Sequence, residues 1–314
     1  MIFALAAALV GGLVLLTVFS EQFVVGAARI AKALRMSAIV IGAVVIGFGT
    51  SLPELLVSVV AAIGGAPDIA LGNVVGSNIA NMTLVLGAAA VLTPIVVRSS
   101  VIKREAPLAL AAMLGLGIVL VLDNPRIGGL VLVASLVIVL GLIVYAGSED
   151  PEDPLGAETA EALDGADHRT GVEITRALIG LVGTLAGAQL VVTGAEGIAD
   201  RAGLSEGFVG LTIVALGTSL PELFTAFQAG RRGETDLVVG NVLGSNIFNS
   251  LGIAGIAILI APGPVASSIT GLGMIAMLVL GAFAFLVMVT GSRVVRWEGA
   301  LLLIAYAALV PFLA

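Results

Sequence analysis

The sequence predicts an all-α integral membrane protein of ten transmembrane helices, arranged as two inverted five-helix repeats. Three observations lead there. Of its 314 residues 59% are hydrophobic and only 11% charged, whereas a soluble domain carries roughly 25% charged residues. The apolar residues come in blocks that approach or exceed the roughly 20 residues a helix needs to cross a bilayer. Finally, polar motifs in the first half recur in the second at a constant offset.

Apolar blocks between polar breaks place the spans near 2–25, 37–63, 69–96, 105–122, 128–147, 173–198, 206–230, 237–261, 267–290 and 296–313. The first block, MIFALAAALVGGLVLLTVF, lacks a basic leader region and is long, so it is expected to be a retained span and not a cleaved signal. The second and seventh each carry a proline in mid-span, Pro53 and Pro221, where a helix is expected to kink. Asp68 and Asp236 stand just before the third and eighth blocks, positions suited to an N-cap acceptor. The fourth, fifth, ninth and tenth are largely uninterrupted apolar runs. Glycine is abundant within the blocks, with 41 residues in the chain, and in membranes small residues let helices approach closely.

Between the fifth and sixth spans lies an acidic segment. Nine of the 21 Asp and Glu residues fall between Glu149 and Glu173, so the net charge of −7 is largely local. It reads as a solvated linker, dividing the chain into a first repeat at 1–147, a loop at 148–172 and a second repeat at 173–314. Cysteine is absent, which excludes disulfides and thiol chemistry.

The connections fix orientation. One side receives Arg29, Lys32, Arg35, Arg98, Lys103, Arg104, Arg169, Arg176, Arg231, Arg232, Arg293 and Arg296, and the other only Arg126 and Arg201. Basic residues favour the cytoplasmic side, so both termini are expected outside and the acidic loop in the cytoplasm. Five spans per half is odd, hence the second half enters the membrane inverted.

A shift of 168 residues lays GTSLPEL at 49–55 on GTSLPEL at 217–223, and GNVVGSNIAN at 72–81 on GNVLGSNIFN at 240–249. Of the 35 pairs between 47–81 and 215–249, 18 are identical, and most are Gly, Thr, Ser, Pro, Glu and Asn. Inverted repeats with interrupted helices build many secondary transporters, whose ion sites lie near the midplane.

Glu54 and Glu222 are the acidic residues deep within spans, at equivalent places in the two repeats. An ionised group at that depth costs several kcal/mol, about 2.5–3.5 for Asp, Lys or Arg, and no span offers a basic partner. A bound cation or proton is the available compensation. Thr50, Ser51 and Glu54 share one helix face, as do Thr218, Ser219 and Glu222. Pro53 and Pro221 lack the N–H that would bond the carbonyls of Gly49 and Gly217, which are expected to turn toward the site. Asn73, Ser77 and Asn81 stack four apart on the next helix, with Asn241, Ser245 and Asn249 as counterparts. Some of these amides are expected to bond between helices, and Gly72, Gly76, Gly240 and Gly244 to allow close crossing. Such an all-oxygen set suits hard cations. Calcium takes 6–8 oxygens in flexible geometry, and sodium suits hydroxyls and carbonyls. Soft metals would call for Cys or His, and the sole His168 is in the loop.

These motifs resemble the sodium/calcium exchanger family of the cation/calcium antiporter superfamily, in its prokaryotic ten-span form, over the whole chain. The resemblance implies ion ligands Thr50, Ser51, Glu54, Ser77 and Asn81 from one repeat and Thr218, Ser219, Glu222, Ser245 and Asn249 from the other, with carbonyls near Gly47 and Ala215. It implies exchange of about three sodium ions for one calcium, electrogenically, by alternating access. Transported Ca2+ and Na+ are then the only ions required, with no cofactor, no enzyme activity, no nucleic acid and no obligatory protein partner beyond the lipid bilayer of the cell membrane. Well-studied prokaryotic members carry Asn in the first repeat and Asp in the second at the last ligand position; here both are Asn, Asn81 and Asn249. That leaves two carboxylates and opens the stoichiometry. Proton-coupled calcium antiport is the alternative, since buried glutamates also discharge by protonation, although such relatives tend to carry an acid where this chain has Gly76-Ser77-Asn78. A channel fits the closed midplane site less well. An intramembrane hydrolase lacks H-E-x-x-H, Cys or a base beside a serine.

Overall fold

A computed structural model describes residues 2–34, 49–97, 105–121, 124–148, 170–233 and 235–313. In chain order the helices are α1 (Ile2–Ala33), α2 (Leu52–Gly64), α3 (Pro67–Leu92), α4 (Glu105–Val121), α5 (Pro125–Ser148), α6 (Thr170–Ala202), α7 (Glu206–Thr218), α8 (Leu220–Arg232), α9 (Thr235–Ile247, prolonged through Phe248–Ile253 and Ala254–Ile260), α10 (Ile269–Gly291) and α11 (Arg296–Leu309). Among the described residues six helices are long and apolar enough to cross a membrane, and α7 with α8 forms a seventh, bent by 41°. That bend falls at Ser219, two residues before Pro221, where the sequence predicts a kink. Most of the acidic loop, including His168, and the first half of the second span lie outside the described residues.

The third span ends earlier than the expected 96. α3 stops at Leu92, and Ile95–Val96 (β1) pairs antiparallel with Arg293–Val294 (β2), joining the connections that follow α3 and α10. The sequence puts those two connections on one side of the membrane, and the ribbon shows that they meet.

Helices differ in what they face. α3 and α9 are the interior pair, with 83% and 72% of their apolar windows buried, against 22% for α1 and for α5. The outer helices present large apolar side chains, such as Val10, Val14 and Val18 on α1 and Leu178, Ile179 and Val182 on α6. In water such a surface would aggregate; it is suited to lipid.

α1 and α6 run antiparallel along their length. Leu5, Leu9, Gly12, Leu16, Phe19, Phe23 and Gly26 recur at steps of four and three and meet Gly197, Gly194, Gly187, Gly183, Gly180 and Ala177, the 3.5-residue periodicity of a left-handed helix pair. The backbones nearly touch: a methyl group on Gly187 would stand 2.8 Å from Leu16 N and 2.9 Å from Gly12 O. At one end buried Glu173 of α6 takes Arg29 of α1 at 3.1 Å and Arg176 at 3.6 Å.

Asp68 departs from expectation. The N-cap of α3 is Ala66, and Asp68 sits inside the first turn. Its Oδ1 accepts the Ala266 backbone N–H at 2.8 Å, so it bonds the two halves to each other and does not cap its own helix. Pro67 at the first helical position explains the shift, because proline is well suited to begin a helix there. Asp236 likewise lies within α9, which begins at Thr235.

Candidate functional site

The two prolines set up the site. Pro53 and Pro221 each stand at the start of a new helix, with Ser51 and Ser219 at the N-cap positions. Both serine side chains leave their own helix uncapped and reach across the molecule. Ser51 Oγ donates to Glu222 Oε1 at 3.2 Å, and Ser219 Oγ donates to Glu54 Oε1 at 3.1 Å. The adjacent threonines do the same: Thr50 Oγ1 donates to Asn241 Oδ1 at 3.1 Å and Thr218 Oγ1 to Asn73 Oδ1 at 3.0 Å. Each bond is the image of its companion under the 168-residue shift. Each half therefore hydrogen-bonds the expected ligands of the other, and neither half makes this crossed arrangement alone.

Close crossing makes this possible. Gly72 of α3 lies against α7, where an added methyl would stand 3.0 Å from both Gly207 O and Leu211 N, and Gly76 abuts Leu211 and Ala215. Asn73 sits between these glycines and is bonded to both Thr218 and the Glu54 carbonyl. Ser77 and Asn81 follow one and two turns on, about 6 Å apart along the axis, and so extend the same polar face. Both Asn81 and Asn249 fall in π-helical segments, Asn81–Val85 and Phe248–Ile253, a local widening that recurs at functional sites.

Of the expected ligands among the described residues all but Thr50 are buried, with Ser51, Glu54, Ser77, Asn81, Thr218, Ser219, Glu222, Ser245 and Asn249 at most 2% exposed. Thr50 is partly exposed, and Gly47 lies outside the described residues. Six oxygens of this set have no hydrogen-bond partner among the described residues: Glu54 Oε2, Glu222 Oε2, Ser77 Oγ, Ser245 Oγ, Asn81 Oδ1 and Asn249 Oδ1. Leaving one buried polar group unsatisfied costs about 1–3 kcal/mol, more if charged. Six in equivalent places of two repeats mark a place shaped for something that accepts electron pairs. Among the described residues no group of three or more His, Cys, Asp or Glu side chains could hold a metal, so carboxylates must share the work with hydroxyls and amides. That mixture suits calcium or sodium.

The Gly49 carbonyl differs from expectation. Gly49 O is not released, because Leu52 N donates to it at 3.3 Å in a tightened turn. Ala215 O accepts the Ser219 N–H at 3.1 Å and lies 3.4 Å from Thr218 Oγ1, whose proton goes to Asn73, so the carbonyl keeps a lone pair that a cation could take.

Several polar residues at the centre were missed from the sequence. Asn78 Nδ2 donates to Ser250 Oγ at 2.8 Å, Asn81 Nδ2 donates to Asn246 Oδ1 at 3.1 Å, and Ser58 bonds Asn73. Asn78 and Asn246 match under the repeat and could have been found that way. Ser58 and Ser250 face Ala226 and Met82 under the shift, and the repeat gives no signal for them.

Two interlocked inverted halves, with carboxylates and hydroxyls crossed at their centre inside an apolar shell, define a polytopic membrane transporter. Comparison with known proteins gives the family. Residues 4–147 and 174–314 match the family described as sodium/calcium exchanger protein, and the chain belongs to it. It is 41% identical over 302 residues to the putative antiporter CaxA of Alkalimonas amylolytica, covering 94% of both chains. It is 29% identical over 340 residues to the sodium/calcium exchanger MaX1 of Methanosarcina acetivorans, covering 96% of each. A structure of the sodium-calcium exchanger NCX_Mj, soaked with 10 mM Na+ and zero Ca2+, matches with a TM-score of 0.68 and 33% identity over 100% of both chains. The fold is accordingly all-α and multi-spanning, with ten spans in two inverted repeats.

Proposed function

We propose that the chain is a secondary antiporter that exchanges sodium for calcium across the cell membrane by alternating access, binding ions between Glu54 and Glu222. The observation that carries this reading is the set of six buried oxygens unpartnered among the described residues, two of them from carboxylates that no described cationic side chain pairs with. Thr50, Ser51, Ser77 and Asn81 from the first repeat, and Thr218, Ser219, Ser245 and Asn249 from the second, complete the ligand set, with backbone carbonyls near Gly47 and Ala215. Two negative charges balance one calcium ion. Structures of the similar NCX_Mj were obtained with Na+, Ca2+ and Sr2+ in the soak, which agrees with hard cations as cargo.

The repeats occupy 1–147 and 173–314, joined by the loop at 148–172. The basic connections place that loop in the cytoplasm and both termini outside. Inversion explains alternation. Two copies of one fold in opposite orientation can exchange conformations, which makes outward- and inward-facing states similar in energy.

Calcium uptake into liposomes tests this directly. Purified protein is reconstituted into sodium-loaded vesicles, diluted into sodium-free buffer and supplied with radioactive calcium, beside potassium-loaded vesicles and vesicles with a pH gradient. Uptake that needs internal sodium is expected. Uptake driven by the pH gradient alone would move the coupling ion to the proton, and no uptake under any gradient would refute calcium transport.

A further inference from the structure

The repeat is symmetric in its ligands but not in what holds them. Asn73 Nδ2 lies 3.3 Å from the Glu54 carbonyl and 3.0 Å from Ser58 Oγ, and Ser58 Oγ lies 3.1 Å from the Ala70 carbonyl. Backbone carbonyls only accept. The Glu54 carbonyl therefore calls for the Asn73 nitrogen, and Ser58, having given its proton to Ala70, can only accept from that nitrogen, so the two together hold the amide and leave its oxygen for the Thr218 hydroxyl proton. Hydrogen-bond logic fixes every proton in this chain. With its proton committed away from the cage, Thr218 offers the cage only lone pairs.

The second repeat lacks the anchor. Ala226 stands where Ser58 would be, and Asn241 Nδ2, although buried, has no partner among the described residues. Among the described residues nothing dictates which way the Asn241 amide faces. With its oxygen toward Thr50, as observed at 3.1 Å, Thr50 shows lone pairs to the cage. With the amide reversed, its nitrogen would donate to Thr50, whose proton could then turn to Glu222 beside it.

We infer that Ser58 is a positioning residue that locks Thr218 as a permanent cation acceptor, while Ala226 leaves Thr50 reversible, a lone-pair donor to a bound ion and a proton donor to Glu222 when the ion departs. The inference rests on the proposed cation site and assigns its two arms different tasks: the Thr218 arm holds affinity and the Thr50 arm eases release. A hydroxyl at 226 would have the Val238 carbonyl as acceptor, the counterpart of Ala70, and would lock the second arm as well.

The test uses full-length protein in sodium-loaded vesicles, with calcium as the probe. Ser58→Ala, in which the Glu54 carbonyl alone holds the Asn73 amide, is expected to raise the half-saturating calcium concentration about threefold with the maximal rate within about twofold of wild type, and Ser58→Thr, which keeps the hydroxyl, to stay near wild type. Ala226→Ser is expected to lower the half-saturating concentration and the maximal rate together, each a few-fold. In detergent, calcium-dependent thermal stabilisation gives a second readout, and Ser58→Ala should add nothing to Thr218→Val, since it acts through that hydroxyl. Unchanged half-saturation in both Ser58→Ala and Ala226→Ser, or a full Ser58→Ala effect in the Thr218→Val background, would overturn the inference. Wild-type protein that transports no calcium would instead remove the reading of function, and equal stabilisation of all variants by calcium and sodium would remove the inference separately.

Discussion

Replacing Glu54 by Gln isolates charge from shape. Gln keeps the volume and can still accept the Ser219 hydroxyl, which now bonds Glu54 Oε1 at 3.1 Å. It removes one of two negative charges and puts an N–H2 group where Oε2 stands without a partner. Two unit charges about 4 Å apart interact by about 4 kcal/mol at an effective dielectric of 20, and a divalent ion at ligand distance feels more. Calcium affinity should therefore fall at least about a thousandfold, which abolishes uptake at micromolar calcium. Stability should move the other way. Without ions the buried Glu54 carboxyl has no counter-charge among the described residues, and a neutral amide relieves the penalty of ionising it there. Ion-free Glu54→Gln should melt at or above the wild-type temperature, while calcium should raise the wild-type melting temperature and leave the variant's unchanged. Glu222→Gln should behave alike, because the arrangement is reciprocal. The assay is calcium uptake with sodium-loaded vesicles, beside thermal melts with and without calcium. Substantial uptake at unchanged half-saturation in either variant would refute the central-site argument.

Ser219→Ala removes the hydroxyl that crosses to Glu54; a hydrogen bond to a charged group is worth about 1.5–3 kcal/mol, so half-saturating calcium should rise about tenfold or more. Gly187→Leu would drive a side chain into Leu16 N and Gly12 O, both within 2.9 Å of the added carbon, and the clash should destabilise the α1–α6 pair by about 1–3 kcal/mol or more, seen as a lower melting temperature. Asp68→Ala forfeits the bond to Ala266 N–H and should cost about 1–2 kcal/mol, whereas Asp68→Asn, which keeps an acceptor oxygen, should retain most of it; thermal melts of the two variants separate the hydrogen bond from the charge.

Much of this molecule is written in its sequence. The ten spans follow from apolar length, because hydrocarbon offers no partner for backbone polar groups and each crossing must bond internally. Inversion follows from five spans per half. Glu54 and Glu222, with Thr, Ser and Asn at fixed offsets, stand out because buried polar residues are costly and the repeat presents each of them twice. Local chemistry also predicted the break before Pro221.

Partnership across the interface was not legible. Sequence spacing puts Ser51 and Glu54 on one helix face, yet Ser51 serves Glu222 and Ser219 serves Glu54, because the inverted halves interlock and the nearest acceptor belongs to the other repeat. Asp68 looked like a cap for its own helix until folding brought the Ala266 N–H to it. Gly49 O looked free, but a tighter turn supplied Leu52 N–H in place of the donor that Pro53 lacks. Nothing in the sequence marks the difference between Ser58 and Ala226. Only the packed structure brings Ser58 between the Asn73 amide and the Ala70 carbonyl and leaves Asn241 Nδ2 without a partner among the described residues. Composition and periodicity record which groups are buried, since burial is a property of each residue's solvent; which group answers which is a property of pairs, and pairs distant in the chain exist only once the fold has closed.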